Sequence, residues 1–431
     1  MTTEATTGPL ADATRDAREL LARCDELAAI SSSTTGIERV YLSPQHAEAH
    51  ARAAEWMAEA GMAVRQDAAG NLVGRLEGGR PGLPALLLGS HLDTVPAAGR
   101  YDGILGVLSA IAVVRRLAPR AATLPFAVEV VAFGDEEGTR FGTTLLGSAA
   151  VAGAWRDEWW DLTDRDGVTL RAAFERFGLD PARIGEANRD GEVFAYLETH
   201  IEQGPRLEDL GLPLGVVTGI AAARRMSLTF HGEARHCATP YDRRHDALLG
   251  AAEAVVAIES AARSLGAMAT VGRIEVAPGA VNVIPGTATL SLDLRAETDE
   301  SRDAALDAIL KRLAEICAEL GLTLERHDTH RAPAVLCDAR LQEAIAEAVG
   351  SLAPEGAAGP IPRLFSVAGH DAMAVAGIAP VGMTFVRCEG GISHHADEAV
   401  TLEDVVAAVD ALERTVEVLA CAQASSSPRS S

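Results

Sequence analysis

Five short clusters of acidic and histidine residues carry the chemistry that this sequence can offer. Taken singly, each cluster is weak evidence, because a His-x-Asp pair is usually hydrogen-bonded internally and a Glu-Glu pair usually faces solvent. Taken together, imidazole nitrogens and carboxylate oxygens form the ligand set that divalent metal ions bind in proteins. The clusters therefore predict a metal centre. They are His91-Leu92-Asp93, Asp102-Gly103, Asp135-Glu136-Glu137-Gly138, His200-Ile201-Glu202-Gln203-Gly204 and Ser393-His394-His395-Ala396-Asp397-Glu398.

The placement of two clusters behind apolar segments strengthens this prediction. Residues 83–89 and 126–133 are short apolar runs that predict buried strands. His91 follows the first run, and Glu136 and Glu137 follow the second, where a solvent-facing acidic pair is not expected. Ligands of open α/β sheets bind at the carboxyl ends of the strands. We therefore expect these side chains to meet at one edge of a sheet.

Asp102 lies at the start of a predicted helix. Residues 103–117 have the apolar period and the length of a helix. Aspartate is a preferred residue at the N-cap position. We therefore expect Asp102 to cap this helix and to present its carboxylate at the same edge of the sheet.

The elements that must position these clusters alternate between strand and helix along most of the chain. This pattern predicts an α/β catalytic domain with a mixed, mostly parallel sheet over residues 10–218 and 332–421. Between the two parts, residues 219–331 read as β-α-β-β-α-β, the order of a ferredoxin-like α+β module. The sequence thus predicts a metal-binding catalytic domain interrupted by an inserted domain, and a disordered tail at 422–431.

Composition excludes several classes of function. The formal charge of the chain is −23 at pH 7, whereas phosphate binding needs a basic surface, so we expect no nucleic-acid partner. No apolar run is long enough to span a bilayer, and the N-terminal residues lack the apolar core of a signal peptide. The six cysteines are widely spaced, with no C-x-x-C pair. We expect a cytoplasmic protein that does not bind membranes.

The order and spacing of the motifs resemble a known group of enzymes. The chain is similar to the dinuclear metallohydrolases of the aminoacylase/carboxypeptidase-G type, and within them to the N-carbamoyl-L-amino-acid hydrolase, allantoate amidohydrolase and β-ureidopropionase branch. Residues 160–181 resemble a helical insertion typical of that branch. The matching segments are GSHLDTVPAAGRYDG (89–103), DEEGTRFG (135–142), HIEQGP (200–205), GAVNVIPG (279–286), LDLR (292–295), AGHDAM (368–373) and GISHHADE (391–398).

The resemblance implies two divalent metal ions, which could be zinc, manganese, cobalt or nickel. Asp102 is implied as the bridging ligand, while the assignment of the other ligands to each metal stays open. His394 is preferred over His395 because it lies four residues before Glu398. The implied ligands are His91, Asp102, Glu137, His200 and His394.

The same resemblance implies the role of two further acidic residues. Glu136 is implied as the general base that takes a proton from the metal-bridging water, and as the acid that later delivers it to the leaving nitrogen. Asp93 is implied to orient His91 through the free ring N–H of that histidine.

The inserted domain is implied to act as a lid and to form a homodimer. His236 resembles the lid histidine that stabilises the tetrahedral oxyanion, and Asn282 and Arg295 resemble residues that hold the substrate carboxylate. Gln203 and Gly369 would line the same pocket. Other interpretations stay open: His236 as a structural histidine, Asn282 as a turn residue, and Arg295 as a surface charge.

The sequence departs from the family pattern at two places that touch the substrate pocket. The lid motif, His236-Cys237-Ala238-Thr239-Pro240, is one residue shorter than usual and lacks its glycine. In the late motif, Val367 stands where relatives have a glycine. Cys237 could serve as a nucleophile, but no triad partner for it is evident. The metal ligands are unaffected, so the departures bear on the substrate.

These observations predict an amidohydrolase that cleaves the carbamoyl C–N bond of an N-carbamoyl-L-amino acid or a related ureido acid. The alternative within the same superfamily is an N-acyl-amino-acid hydrolase or a dipeptidase. A non-catalytic relative that only binds metal is the alternative from another class. The expected partner is therefore a small amide-like or ureido molecule.

Overall fold

The computed structural model describes residues 9–352 and 360–426. In chain order, the helices are α1 (Pro9–Ala28), α2 (Pro44–Glu59), α3 (Ile104–Leu117), α4 (Leu146–Val151), α5 (Leu170–Phe177), α6 (Arg206–Leu210), α7 (Ala247–Ser264), α8 (Asp299–Leu320), α9 (Ala339–Ser351), α10 (Ala372–Val375) and α11 (Leu402–Ser426). The strands are β1 (Ala63–Gln66), β2 (Leu72–Leu76), β3 (Ala85–His91), β4 (Ala127–Phe133), β5 (Val193–Ile201), β6 (Leu214–Ile220), β7 (Ala222–His231), β8 (Arg235–His236), β9 (Met268–Thr270), β10 (Ile274–Ala277), β11 (Val283–Ile284), β12 (Thr287–Ala296), β13 (Thr323–Ala332), β14 (Val335–Leu336), β15 (Arg363–Ser366) and β16 (Val381–Val386).

The chain divides into two compact units. The first consists of the described parts of Met1–Thr218, Cys337–Leu364 and His370–Ser431, and the second of Gly219–Leu336 with Phe365–Gly369. The sequence analysis placed the end of the inserted domain at residue 331, five residues before Leu336.

The first unit is built on a mixed sheet, as the sequence predicts. Its strands run in the order β1-β2-β4-β3-β5-β16-β6, and the four central strands β4, β3, β5 and β16 are parallel. Strands β3 and β4 are buried along their whole length, which explains why they read as continuous apolar runs. Strands β1, β2 and β6 join the sheet antiparallel. The carboxyl ends of the central strands therefore meet at one edge.

Five helices, α1, α2, α3, α9 and α11, form the main core of the first unit together with the sheet. Helix α3 is buried on nearly every face, because it packs between the sheet and helices α1 and α11. Gly103, not Asp102, is the N-cap residue of α3, with a φ of 71° and no capping side chain. The capping prediction for Asp102 is therefore wrong, because its carboxylate faces histidine rings instead.

The tail prediction is also wrong in part. Helix α11 continues to Ser426, so residues 422–426 are helical. The residues that extend the helix, Ala422, Gln423 and Ala424, have high helix propensity. Residues 427–431 lie outside the described part of the chain, as do residues 1–8.

The second unit has an antiparallel sheet with the strand order β10-β12-β7-β13, and β9 also pairs with β12. Strand β12 alternates strictly between buried and half-buried residues, so one face meets the core. Helices α7 and α8 pack on this sheet and on each other. Thr298 and Ser301 form a capping box that fixes the start of α8. The ferredoxin-like assignment of this unit remains a prediction.

Among the described residues, no helix combines the length and the apolar character needed to cross a membrane.

Candidate metal centre

The five predicted ligands are brought together at the carboxyl edge of the central sheet in the first unit. Strand β3 ends at His91, and His200 lies near the end of β5. Glu137 follows β4, Asp102 precedes α3, and His394 lies in the loop before α11. The fold thus delivers side chains from distant parts of the chain to one place, as ligand sites of open sheets require.

One group of ligands consists of His91, His200 and Asp102. The Nε2 atom of His200 lies 3.1 Å from Oδ1 of Asp102, and the Nε2 atom of His91 lies 3.9 Å from the same oxygen. The three ligand atoms lie within 4.8 Å of one another, and all three residues are buried. Two imidazoles and a carboxylate oxygen at this spacing could hold a divalent ion.

A second group consists of Glu137, His394 and the other oxygen of Asp102. The Nε2 atom of His394 lies 2.9 Å from Oδ2 of Asp102 and 3.3 Å from Oε1 of Glu137. These ligand atoms also lie within 4.8 Å of one another. The two oxygens of Asp102 thus face different groups. The two groups that share Asp102 place His91 with His200 and Glu137 with His394, while His91, Glu136 and Glu137 form a third group whose ligand atoms lie within 4.8 Å of one another.

The tautomers of two histidines fit a metal site. The Nδ1 atom of His200 lies 2.9 Å from the carbonyl oxygen of Ile201, and that of His91 lies 2.9 Å from the carbonyl oxygen of Asp93. A ring N–H that donates to a carbonyl fixes the tautomer and leaves Nε2 free to bind a metal. The donor set of this structure therefore fits divalent cations.

Asp93 contacts His91 through its backbone and the loop after β4 through its side chain. Its backbone carbonyl orients His91, while its carboxylate accepts hydrogen bonds from the backbone N–H groups of Glu136 and Glu137, each at 3.2 Å. The nearest carboxylate oxygen of Asp93 lies 3.8 Å from Nδ1 of His91. Asp93 therefore connects the loop after β3 to the loop after β4.

The backbone adopts left-handed conformations at several site residues. His394, Gln203 and Asp135 have φ values of 55°, 57° and 61°. Such values are uncommon for residues with a side chain and cluster at functional sites. At Gly103 a Cβ atom would lie 2.5 Å from the ring of His91, so the approach of this backbone to the histidine requires glycine.

Glu136 lies beside the ligands but belongs to neither of the two groups that share Asp102. Its Oε2 atom lies 3.9 Å from Nε2 of His91, and its side chain is buried. Burial raises the pKa of Glu136 well above its usual range, and the neighbouring charges of Glu137 and Asp371 raise it further. A carboxylate with a raised pKa next to a metal site can both accept and return a proton near neutral pH.

His200, His394 and Asp102 shift one another's pKa values. Burial opposes the charge of His200, but its hydrogen bond to Asp102 raises the pKa to about 9. Hydrogen bonds to Asp102 and Glu137 raise the pKa of His394 to about 10. Although burial favours its neutral form, these two histidines hold the pKa of Asp102 well below its usual value. The pocket thus has a negative field that favours cations.

Glu398 is a site residue that the sequence analysis used only to choose His394. It is buried, and its Oε1 atom accepts hydrogen bonds from the backbone N–H groups of Tyr101 at 2.7 Å and Asp102 at 3.1 Å. Its Oε2 atom accepts a hydrogen bond from the hydroxyl of Ser393 at 2.9 Å. Glu398 therefore joins the loop of Asp102 to the loop of His394. Its position in the fifth cluster was the available signal.

A buried carboxylate and a histidine below the metal ligands were also missed. Glu198, His200 and His370 place ligand atoms within 4.8 Å of one another. Glu198 accepts hydrogen bonds from the Ser90 hydroxyl at 2.9 Å and from the backbone N–H of Ala372 at 3.2 Å. The rings of His370 and His200 are 4.5 Å apart. Glu198 lies inside an otherwise apolar strand, so its charged side chain is the only signal in the sequence that could identify it as a site residue.

Gln203 lies at the second ligand group. Its side-chain nitrogen is 3.2 Å from Oδ2 of Asp102, from the hydroxyl of Ser393 and from Nε2 of His394. This position agrees with a residue that lines the site, while its role in substrate binding remains a prediction.

The other predicted substrate residues belong to the second unit. Strands β8 and β11 pair His236 with Val283, and the carbonyl of Asn282 accepts a hydrogen bond from Cys237 at 3.0 Å, so His236 and Asn282 are close in space. His236 is exposed. Arg295 forms two hydrogen bonds of 2.9 Å with Asp293 and donates to the carbonyl of Val367 at 2.8 Å.

Comparisons with known proteins agree with this site. Residues 87–418 match the family described as Peptidase family M20/M25/M40. The chain is 39% identical to the allantoate deiminase of Arabidopsis thaliana over 426 residues, which cover 90% of this chain and 80% of the relative. It is 40% identical to the N-carbamoyl-L-amino acid amidohydrolase of Geobacillus stearothermophilus over 394 residues, which cover 89% of this chain and 94% of the relative.

Solved structures give the same result. An amidase of the hydantoinase/carbamoylase family from Burkholderia multivorans superposes with a TM-score of 0.85 and 32% identity, covering 94% of this chain and 98% of the other. AtUAH in complex with glyoxylate superposes with a TM-score of 0.80 and 34% identity, with the same coverage of both chains.

Matches of this extent over nearly the whole chain show the family and confirm the resemblance drawn from the motifs. The enzymes of this family depend on metal ions, in keeping with the two ligand groups around Asp102. The chain belongs to peptidase family M20/M25/M40, and within it to the hydrolases that act on carbon–nitrogen bonds other than peptide bonds.

Proposed function

We propose that this enzyme hydrolyses the carbamoyl C–N bond of an N-carbamoyl-L-amino acid or a related ureido acid. The observation that carries the proposal is the carboxylate of Asp102, whose two oxygens face two separate ligand groups, with the buried Glu136 beside them. The printed names of two relatives, an N-carbamoyl-L-amino acid amidohydrolase and an allantoate deiminase, support the substrate class.

We infer that the two groups hold one divalent ion each, with Asp102 as the shared ligand. His91 and His200 would complete one site, and Glu137 and His394 the other. Two such ions would polarise the substrate carbonyl and lower the pKa of a water molecule, and zinc, manganese, cobalt or nickel would each suit these ligands. The tautomers fixed at His91 and His200 support this assignment.

Glu136 is the proposed general base and acid. Its raised pKa allows it to take a proton from the attacking water and to hold that proton while the C–N bond breaks. It then delivers the proton to the leaving nitrogen. The carboxylate of Asp93 fixes the backbone N–H of Glu136 at 3.2 Å, which limits the positions that the side chain can reach.

Residues of the second unit are proposed to recognise the rest of the substrate. His236 would stabilise the oxyanion, and Asn282 and Arg295 would hold the substrate carboxylate. Gln203 and Gly369 would line the pocket. Because Arg295 is fixed by Asp293 and by the carbonyl of Val367, its guanidinium is already oriented.

A homodimer through the second unit is also proposed. Helix α7 exposes a row of apolar side chains, with Val256 70% and Leu249 48% exposed. Exposed apolar surface on one helix face favours burial against a partner. Light scattering at micromolar protein would test this, and a monomeric mass would contradict it.

The decisive experiment is a substrate panel with metal-free protein reloaded with manganese, zinc or cobalt. Ammonia release is measured with N-carbamoyl-L- and D-amino acids, N-carbamoyl-β-alanine and allantoate, and amine release with N-acetyl-amino acids and dipeptides. We expect ammonia from at least one ureido compound. Activity confined to acyl-amino acids or dipeptides would overturn the proposal. In that case, a change of substrate class would explain the departures from the family pattern at Val367 and Cys237.

A further inference from the structure

The loop that carries Glu136 and Glu137, residues 134–145, has an irregular backbone. It contains left-handed residues at Asp135, Gly138, Gly142 and Leu145. Three internal hydrogen bonds close it: Gly142 donates to the carbonyl of Gly138, and Leu145 donates to the carbonyls of Asp135 and Glu136. A loop without helical or strand pairing depends on outside contacts for a defined position. Asp93 provides such contacts at the two glutamates.

Arg140 provides a further contact of this loop, beside the hydrogen bond from the backbone N–H of Gly134 to Oδ1 of Asn71 at 3.0 Å. The Nε atom of Arg140 donates to Oδ2 of Asp164 at 3.1 Å, and its Nη1 atom donates to the carbonyl oxygen of Tyr41 at 2.9 Å. The side chains of Arg140 and Asp164 are 16% and 8% exposed, so solvent screens their attraction only weakly. A partly buried, directional pair of this kind can help to fix a loop.

The carboxylate of Asp164 is held in place by its own turn. Its Oδ1 atom accepts hydrogen bonds from the backbone N–H groups of Asp166 at 3.0 Å and Val168 at 2.9 Å. This is the arrangement in which an aspartate closes a turn with its side chain. The two oxygens of Asp164 therefore have different roles, since Oδ1 stabilises the turn and Oδ2 accepts the hydrogen bond from Arg140.

The turn is anchored in an aromatic cluster within the first unit. The backbone N–H of Leu170 donates to the carbonyl of Leu162 at 2.8 Å, which closes the segment around the turn. The ring of Phe174 is 4.9 Å from that of Trp160 and 6.1 Å from that of Tyr41. Since Tyr41 also supplies the carbonyl that binds Arg140, both partners of Arg140 belong to one packed body.

We propose that Asp164 is a positioning residue for the loop of Glu136 and Glu137, acting through Arg140. Residues 160–181, which resemble a branch-specific insertion, would thus hold Glu136 and Glu137 in position relative to the rest of the site. The inference rests on the proposed function for its consequence in catalysis. Its structural core, that Asp164 fixes the position of Glu137, can be tested without any substrate.

The test variant is Asp164→Asn. Asparagine keeps an Oδ1 acceptor for the turn but loses the charged oxygen that receives Arg140, so it breaks one contact selectively. Asp166→Asn is the matched control, because Asp166 lies in the same turn and is 78% exposed. Arg140→Gln is the second variant, which breaks the same contact from the other side.

Two measurements are made on metal-free protein: calorimetric titration with manganese or zinc, and hydrogen exchange of the amides of residues 134–145. In D164N and R140Q we expect one of the two binding steps, the one that uses Glu137, to weaken about 10–100-fold. We also expect faster exchange in the loop. D166N should match the unaltered protein in both measurements.

Unchanged metal affinity in a folded D164N variant would overturn the inference. If D164N does not fold, the same result in R140Q would overturn it. A substrate panel that fails would overturn the proposed function alone, because neither measurement uses a substrate. Where turnover is found, kcat should fall in both variants, and the double variant should be no worse than either single one.

Discussion

Three of the predicted metal ligands in the first unit and His236 in the second unit have opposite surroundings. His91, Asp102 and His200 are buried, and each of them contacts at least one other polar group of the site. His236 is exposed, and its ring is held only by the backbone N–H of Ala238 at 3.2 Å among the described residues. These three ligands are therefore fixed by their neighbours, whereas the ring of His236 is exposed to solvent.

This difference in burial predicts how substitutions in each region affect the folding free energy. Removing a buried partner leaves an unsatisfied polar group, which costs folding free energy as well as function. Removing an exposed side chain costs little stability. Substitutions should therefore affect stability and activity together in the first unit and separately in the second, apart from residues that serve only proton transfer.

The largest effect is expected at Glu136. Glu136→Gln keeps the shape of the side chain but cannot accept a proton, so turnover should fall by at least about 10²–10⁴-fold. The carboxylates and imidazoles of the two metal groups remain, so metal content by elemental analysis should be unchanged. Equal turnover in both proteins would remove Glu136 from the mechanism, and loss of metal would make it a ligand.

The next effect is expected at His236. His236→Ala should lower kcat about 10²–10³-fold, because it removes a donor to the developing oxyanion. The melting temperature should stay unchanged, since the ring is exposed. His231→Ala is the control, because His231 is also exposed and pairs with Glu325 at 3.1 Å. If His236→Ala loses no more activity than His231→Ala, His236 has no special role and the comparison between the two regions fails.

A smaller effect on metal affinity is expected at Gly103. In Gly103→Ala the new Cβ atom would meet the ring of His91 at 2.5 Å, so the histidine must move and metal affinity should fall about 10–100-fold. Gly82→Ala is the matched control: its φ of 73° carries the same strain of about 1–2 kcal/mol, but no atom lies within 4 Å and it lies outside the loops that carry the predicted ligands. Calorimetric metal titration of both variants separates the clash from the strain, and equal affinities would contradict the prediction.

The smallest effect concerns stability against acid. Burial, and then the charge of Arg39, lower the pKa of His50 to about 3, and burial lowers that of His46 well below its usual value. The unfolded chain protonates these rings near pH 6.5, while the folded chain keeps them neutral. The contribution of each ring to stability should therefore fall as pH drops below about 6.5, by about 1.4 kcal/mol per pH unit.

His50→Leu tests this pH dependence in the first unit. Neither ring nitrogen of His50 has a hydrogen-bond partner among the described residues. In denaturant unfolding between pH 6.5 and 4, the free energy of unfolding of this variant should depend less steeply on pH, by the equivalent of one proton. His231→Ala in the second unit should keep the original slope. An unchanged slope in the His50 variant would place the acid sensitivity elsewhere.

The five-ligand set rests on the resemblance of the motifs to a known family, whereas the apolar pattern alone predicts that His91, Glu136 and Glu137 meet at one edge of the sheet. The buried runs of β3 and β4 end in polar residues, and that contrast marks the site. The pairing of ligands could not be predicted, because it depends on which oxygen of Asp102 faces which histidine. That choice follows from the backbone around Gly103, whose φ of 71° no pattern of residue types reveals.

Other parts of the site lacked a local signal. Glu398 reads as a surface acid in a polar loop, and only the packing of that loop against Tyr101 and Asp102 buries it. Arg140 and Asp164 are separated by 24 residues of which many are irregular, so no periodic pattern connects them. The helical extension to Ser426 was missed because a polar, serine-rich end resembles a tail.

The contact of Glu398 with the backbone of Asp102 has a consequence for the order in which the protein is made. The two residues are 296 positions apart, so the ribosome completes the bridging aspartate long before the carboxylate that holds it. His394 arrives with the same late segment. A nascent chain therefore carries four of the five predicted ligands, and the shared one, Asp102, is still unanchored. Metal that is captured at this stage would be held loosely and exchanged easily, until the final loop closes over it.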